Sequence, residues 1–125
     1  PGWLYEVKKG ATTIWDNWDG NEENGKPKAS LNHYSYGAIA GWLIHSVCGI
    51  RQAGQKITIK PTVLPKLGHA EATYISPVGT IESGWQCRED GSILYTFRIP
   101  PNTQARFIAQ GQEMILEPGT HHISL

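Results

Sequence analysis

From Lys56 onward the chain alternates apolar and polar residues with a period of two, and this restricts its fold more than any other feature. Ile57 and Ile59 alternate with Lys56, Thr58 and Lys60; Ile81, Ser83, Trp85 and Cys87 alternate with Thr80, Glu82, Gly84, Gln86 and Arg88. Ile93, Tyr95, Phe97 and Ile99 alternate with Ser92, Leu94, Thr96 and Arg98. Successive side chains of an extended strand point to opposite faces, so each run is a strand with one buried face, and Trp85 belongs to the core. Between the runs lie Ser76-Pro-Val-Gly79, Glu89-Asp-Gly91, Pro100-Pro-Asn102 and Glu117-Pro-Gly119, where Pro fixes a negative φ and Gly accepts a positive one. Adding Ala70 to Ile75, Ala105 to Ala109, Glu113 to Leu116 and His121 to Leu125 gives about seven short strands, spaced as in an antiparallel β-sandwich.

The residues before this pattern have another texture. Within Ser35 to Ile50, Ile39, Leu43, Ser46, Val47 and Ile50 form one stripe of an α-helix, with Ser35 as its N-cap. Gly37 and Gly41, one turn apart, each cost about 1 kcal/mol against Ala in a helix interior, and are read as letting a second helix approach closely. Residues 1–9 are expected to end another helix, with Trp3, Leu4 and Val7 facing inward. The division expected is residues 1–51, helical, and 52–125, β-sandwich. Pro1 and the run after it read as the middle of something, so the chain is expected to be a piece of a longer polypeptide.

Lys plus Arg and Asp plus Glu number 11 each, which leaves no electrostatic footprint for nucleic acid and no basic amphipathic face for a membrane. The apolar run that includes Ala38 to Leu43 is broken by Gly41 and falls far short of the ~20 residues of a membrane span. Neither nucleic acid nor membrane is an expected partner. Cys48 and Cys87 lack metal-ligand spacing and are read as two buried free thiols. His69, His121 and His122 have no carboxylates at ligand spacing, and His121 and His122 face opposite sides of a strand. No metal and no cofactor is expected, and nothing in the sequence assigns a compartment.

One stretch stands apart. Ala11-Thr-Thr-Ile-Trp-Asp-Asn-Trp-Asp-Gly20 sets Trp15 and Trp18 beside Asp16 and Asp19, and a polar loop, Gly20 to Lys28, leads to Ser30-Leu-Asn-His-Tyr-Ser-Tyr-Gly37. Aromatics among polar loop residues compose a sugar site, where ring faces stack on apolar sugar faces and carboxylates, amides and imidazoles bind hydroxyls. The same residues also suit a plainer role, with the tryptophans as core anchors and the aspartates capping a helix or bonding local amides.

The run Gly10-Ala-Thr-Thr-Ile-Trp-Asp-Asn-Trp-Asp-Gly20, followed by Ser30-Leu-Asn-His-Tyr-Ser-Tyr-Gly-Ala-Ile-Ala-Gly-Trp42, resembles the C-terminal end of the bacterial α-L-rhamnosidases of glycoside hydrolase family 78. Ile57-Thr-Ile-Lys-Pro61, Tyr74-Ile-Ser-Pro-Val-Gly79 and Ile99-Pro-Pro-Asn-Thr103 resemble that family's passage into its terminal sandwich, so the likeness covers nearly the whole chain. It implies the last helical segments of an (α/α)6 barrel, completed by the remainder of the barrel in cis, and then the β-sandwich. It further implies an inverting glycosidase acting on terminal α-L-rhamnosides. Asp16 would be the general base and His33 a sugar contact; Trp15 and Trp18 would wall the subsite, with Asp19 beside them. The family usually carries Glu where Asp16 stands. The general acid would lie upstream, outside this chain, so the chain alone is expected to be inactive. The alternative is a non-catalytic carbohydrate-binding or accessory β-sandwich, which would need exposed aromatics.

Overall fold

The computed structural model describes residues 2–20 and 25–125. It divides into two compact units, Pro1–Gly41 and Trp42–Leu125. The fold is mainly β, with short helical segments preceding two four-stranded sheets.

In the first unit, helix α1 (Trp3–Lys8) ends at Lys9, and Gly10 takes φ 79. The Ala11 amide returns to the Glu6 carbonyl at 3.0 Å and the Gly10 amide to Val7 at 3.0 Å, a Schellman closure that folds the next segment back along the helix. Trp3, Leu4 and Val7, expected to face inward, are exposed, and the buried residue of α1 is Glu6. The closure explains this correction, because it lays residues 11–20 along the face that carries Glu6 and Trp3, away from Leu4 and Val7.

The returning segment is held by backbone pairing with residues 30–33. The Asp16 amide donates to the Ser30 carbonyl at 2.9 Å and the His33 amide to the Ile14 carbonyl at 2.8 Å. The Thr13 hydroxyl adds a bond to the Leu31 carbonyl. The segment ends at Gly20, with φ +63, where an added Cβ would stand 2.2 Å from the Trp15 ring. Only glycine satisfies both the backbone angle and the contact. Of the polar loop Gly20 to Lys28, residues 21–24 lie outside the described residues.

The single helix expected over Ser35 to Ile50 is in fact three tight pieces: a 3₁₀ turn at Tyr34–Gly37, helix α2 (Ala38–Trp42) and a π-helical turn at Leu43–Val47. No side chain caps the 3₁₀ turn, so Ser35 is not an N-cap. In the π turn the Cys48 amide reaches back five residues to the Leu43 carbonyl at 2.9 Å. Gly37 and Gly41, which weaken an α-helix, lie upstream of this widened turn. Ile50 is not helical but opens the first strand, and its inward position there kept the apolar period going.

The second unit is the β-sandwich. One sheet has the order β1 (Ile50–Ala53), β2 (Lys56–Ile59), β6 (Ala105–Ala109), β7 (Gln112–Leu116). The other has the order β3 (His69–Ser76), β4 (Gly79–Cys87), β5 (Ile93–Ile99), β8 (Gly119–Ser124). Every pairing is antiparallel except β2 with β6, where the chain returns in parallel. The register sets Ala70 beside Trp85, Tyr74 beside Ile81, Trp85 beside Tyr95 and Ser83 beside Phe97, so the inward residues of three strands form one layer. Against it lie Ile50, Ile57, Ile59, Ala105, Phe107 and Leu116 of the facing sheet. Tyr95, Phe97 and Phe107 stack and tilt together with centroids 4.6 to 6.2 Å apart, each such pair adding about 0.5–1.5 kcal/mol beyond its buried area. Cys48 is buried, and burial raises its thiol pKa, with the charge of Glu71 as a smaller cause. Cys87 is only partly buried, which corrects the expectation of two buried thiols; both are free.

The π turn joins the sandwich through its carbonyls. Ser46 accepts from the Thr62 amide at 2.9 Å and Val47 from Trp85 Nε1 at 2.9 Å. Cys48 accepts from Ser83 Oγ at 2.7 Å and Gly49 from the Lys60 amide at 2.9 Å. Gly49 passes so close to β2's exit that an added Cβ would stand 2.2 Å from Lys60 C and Pro61 N.

Trp85→Phe keeps most of the packing and orphans the Val47 carbonyl, so the unfolding free energy of the sandwich should fall by about 1–3 kcal/mol in a urea titration. Gly20→Ala forces a strained φ and a clash, and should destabilise the first unit by at least about 2 kcal/mol, read from thermal unfolding followed by tryptophan fluorescence.

Candidate active site

The backbone pairing of residues 14–16 with 30–33 brings Asp16 and His33 to one place. Asp16 Oδ1 stands 3.2 Å from His33 Nε2, and the two side chains are 39% and 31% exposed. With Nε2–H donating to the carboxylate, the second ring nitrogen, Nδ1, faces away from it. That atom is buried and meets no partner among the described residues. A half-exposed carboxylate with one oxygen held by an imidazole can accept a proton from a water on its other side.

Aromatic rings surround the pair. His33 lies 4.9 Å from Tyr36 and stacks on the exposed Tyr34 at 5.9 Å. Trp18 stacks on Tyr36 at 5.3 Å and meets Trp3 edge-on at 5.2 Å. Trp18 and Tyr36 are partly exposed, which suits a platform for the apolar face of a sugar. Trp15 is placed differently. It is 7% exposed, its ring covers Gly20, and its amide donates to Glu6 Oε2 at 3.2 Å.

Asp19 makes its own contact. It pairs with Lys28 across the neck of the loop, and the lysine hydrogen bond holds its carboxyl below the usual carboxylate range. Together with the Lys28 amide bond to the Gly20 carbonyl at 2.9 Å, this pair closes the loop after Gly20. Asn32 donates its amide to Ser30 Oγ at 3.1 Å, a local turn bond. Among the described residues no group of three His, Cys, Asp or Glu side chains could hold a metal ion.

The structure therefore groups Asp16, His33 and Trp18, buries Trp15 against Gly20, and gives Asp19 an ion pair. Sequence reasoning missed Tyr36, Lys28 and Glu6. Tyr36 sat in the quoted motif and carried a signal; Lys28 and Glu6, nine residues from their partners, carried none.

Comparison with known proteins matches residues 1–47 to a family model described as the bacterial alpha-L-rhamnosidase 6 hairpin glycosidase domain. Residues 49–123 match the bacterial alpha-L-rhamnosidase C-terminal domain. An alpha-L-rhamnosidase of Formosa agariphila is 39% identical over 112 residues, which is 84% of this chain and 12% of that protein. One of Streptomyces avermitilis is 36% identical over 112 residues, 84% of this chain and 11% of that protein. The chain thus spans about an eighth of the length of the curated relatives it matches. Among solved structures, native α-L-rhamnosidase from Aspergillus terreus superposes on all of this chain and 16% of its own, with TM-score 0.88 and 27% identity. The Streptomyces avermitilis enzyme complexed with L-rhamnose covers 100% of this chain and 15% of its own, with TM-score 0.84 and 27% identity. With relatives at more than a third identity across most of its length, the chain belongs to the bacterial α-L-rhamnosidase family.

Proposed function

We propose that this chain is the C-terminal part of a glycoside hydrolase that removes terminal α-L-rhamnose from glycosides with inversion, and that Asp16 is its general base. The observation that carries the reading is the half-exposed Asp16 carboxylate 3.2 Å from His33, beside the partly exposed Trp18 and Tyr36 rings. The solved Streptomyces relative bound to L-rhamnose supports the substrate class.

Inversion requires an ionised base that activates water on one face of the sugar and a protonated acid on the other, with carboxyls ~6.5–9.5 Å apart. Among the described residues of the first unit, the carboxylates besides Asp16 are Glu6 and Asp19. Glu6 is 2% exposed, and Asp19 is held ionised by Lys28, so neither can deliver a proton to a leaving oxygen. As the family resemblance implies, the acid is assigned to barrel loops upstream of this chain, so residues 1–125 alone should not turn over. His33 has two uses in this reading: it orients the base and offers its edge to the sugar. Trp18 and Tyr36 form the stacking surface, while the buried Trp15 anchors the segment that carries Asp16.

Residues 52–125 take a structural role. A carbohydrate-binding module needs exposed rings, whereas Trp85, Tyr95, Phe97 and Phe107 are all buried in the sandwich. Its exposed large apolar residues from Leu64 onward are aliphatic: Leu64, Leu67, Ile75 and Ile115.

Hydrolysis of an aryl α-L-rhamnoside by the longest polypeptide that carries this chain tests the reading. Asp16→Asn should lower kcat by about 10²–10⁴-fold, and NMR of the first product should show the inverted anomer. An enzyme indifferent to Asp16→Asn, or one that retains configuration, would refute the assignment. His33→Ala frees the carboxylate and removes a sugar contact, so kcat/KM should fall by about 100-fold with both parameters affected.

A further inference from the structure

Glu6 is the one buried charged residue of the chain among those described, at 2% exposure. One carboxylate oxygen, Oε2, accepts the Trp15 amide at 3.2 Å. The other, Oε1, is buried and meets no hydrogen-bond partner among the described residues. A carboxylate kept from water with a single amide donor is a poor choice for filling space, because an apolar side chain of that volume avoids the desolvation cost. Its use therefore lies in the bond it makes. That bond falls on the residue immediately before Asp16, and Glu6 itself does not move freely. Its own carbonyl accepts both the Lys9 and the Ala11 amides at 3.0 Å, at the point where the chain turns back. The Asp16 amide is tied on the next residue to Ser30 at 2.9 Å. Two successive amides, 15 and 16, are thus clamped from opposite sides, one by a side chain of α1 and the other by the 30–33 segment.

We propose that Glu6 is a positioning residue for the general base: its buried carboxylate holds the Trp15 amide and so fixes where the Asp16 carboxylate stands relative to the attacking water. This rests on the reading of Asp16 as base. Glu6 touches neither sugar nor water in this role, so its loss should appear in kcat and not in KM.

The experiment is a cycle of kcat and KM values on an aryl α-L-rhamnoside, in the longest polypeptide that carries the chain, for Glu6→Met, Asp16→Asn and the double variant, with Glu6→Gln beside them. Methionine fills the glutamate's volume without an acceptor, and glutamine keeps a carbonyl oxygen at the same reach. Glu6→Met should lower kcat about 100-fold with KM within about twofold, the size expected for a misplaced catalytic group. Glu6→Gln should recover kcat to within about fivefold, and in the Asp16→Asn background Glu6→Met should cost less than about threefold, because the group it positions is already gone. An equal cost in both backgrounds would mean a general structural role and would overturn the proposal, as would no cost in the parent. Loss of activity in Asp16→Asn with indifference to Glu6→Met would overturn the Glu6 assignment alone. An active Asp16→Asn would remove the base reading and the Glu6 role with it. Should Glu6→Met fail to fold, judged by its melting temperature, Glu6→Gln decides: a hundredfold loss of kcat there overturns the proposal, since the acceptor is retained.

Discussion

Four consecutive carbonyls, Ser46 to Gly49, set the architecture of the second unit. The last turn of any helix leaves four carbonyls without intrahelical donors, and inside a protein each must find one. Here the donors are the Thr62 amide, Trp85 Nε1, Ser83 Oγ and the Lys60 amide. They come from the segment after β2 and from the inner face of β4, two parts of the chain that do not otherwise pair. The buried Ser83 and the indole nitrogen of Trp85 would be liabilities in an apolar core. Bonded to Cys48 and Val47, they tie the helical turn to the sandwich at a defined height. Ile50 can then enter β1 already inside the core, next to Ile59.

The first unit relies on the same logic at smaller scale. Short helices do not hold themselves together in water, and α1 has only six residues. What gives the candidate-site segment a defined path is a series of backbone closures: the turn at Gly10, the bonds from Asp16 and His33 across to residues 30 and 14, and the loop neck at Gly20 and Lys28. Trp15 acts as the weight in this arrangement, buried over a glycine that leaves room for its ring. The side chains that face out, Asp16, Trp18 and His33, are those the proposed chemistry requires.

The strands and their inward faces were legible because alternation is written into each strand, and Trp85, Tyr95 and Phe97 fall on the core face as the period demands. The helical segment was legible only as a period. The bonds that hold the end of its last turn come from β4, some 35 residues away, and no local pattern encodes them. Likewise Ile50 satisfied the helical stripe and the strand equally well, since both put it inside. The site was legible through the aromatic and acidic composition of residues 15–19 and the Asn-His-Tyr motif, which supplied Asp16, His33 and Trp18. The parts that stayed hidden are those whose partners lie across a fold: Asp19 with Lys28, Trp15 with Gly20 and Glu6, Trp18 with Tyr36. The two tryptophans of the cluster differ in burial. Trp15 is the core anchor of the plainer reading, while Trp18 keeps the exposure that a sugar platform needs.

Aspartate in the position where the resembling family usually has glutamate bears on how this site would hold the proposed base. A side chain shorter by one methylene loses reach, and it also loses one rotatable bond, so its carboxylate position follows the backbone more closely. Backbone placement then decides where the base stands. That matches the bonding in the structure, in which amides 15 and 16 are both engaged and one carboxylate oxygen is held by an imidazole 3.2 Å away. A longer glutamate could find its water by rotamer choice. This aspartate depends on the segment being held in place, and the donors and acceptors that hold it come from α1 on one side and residues 30–33 on the other.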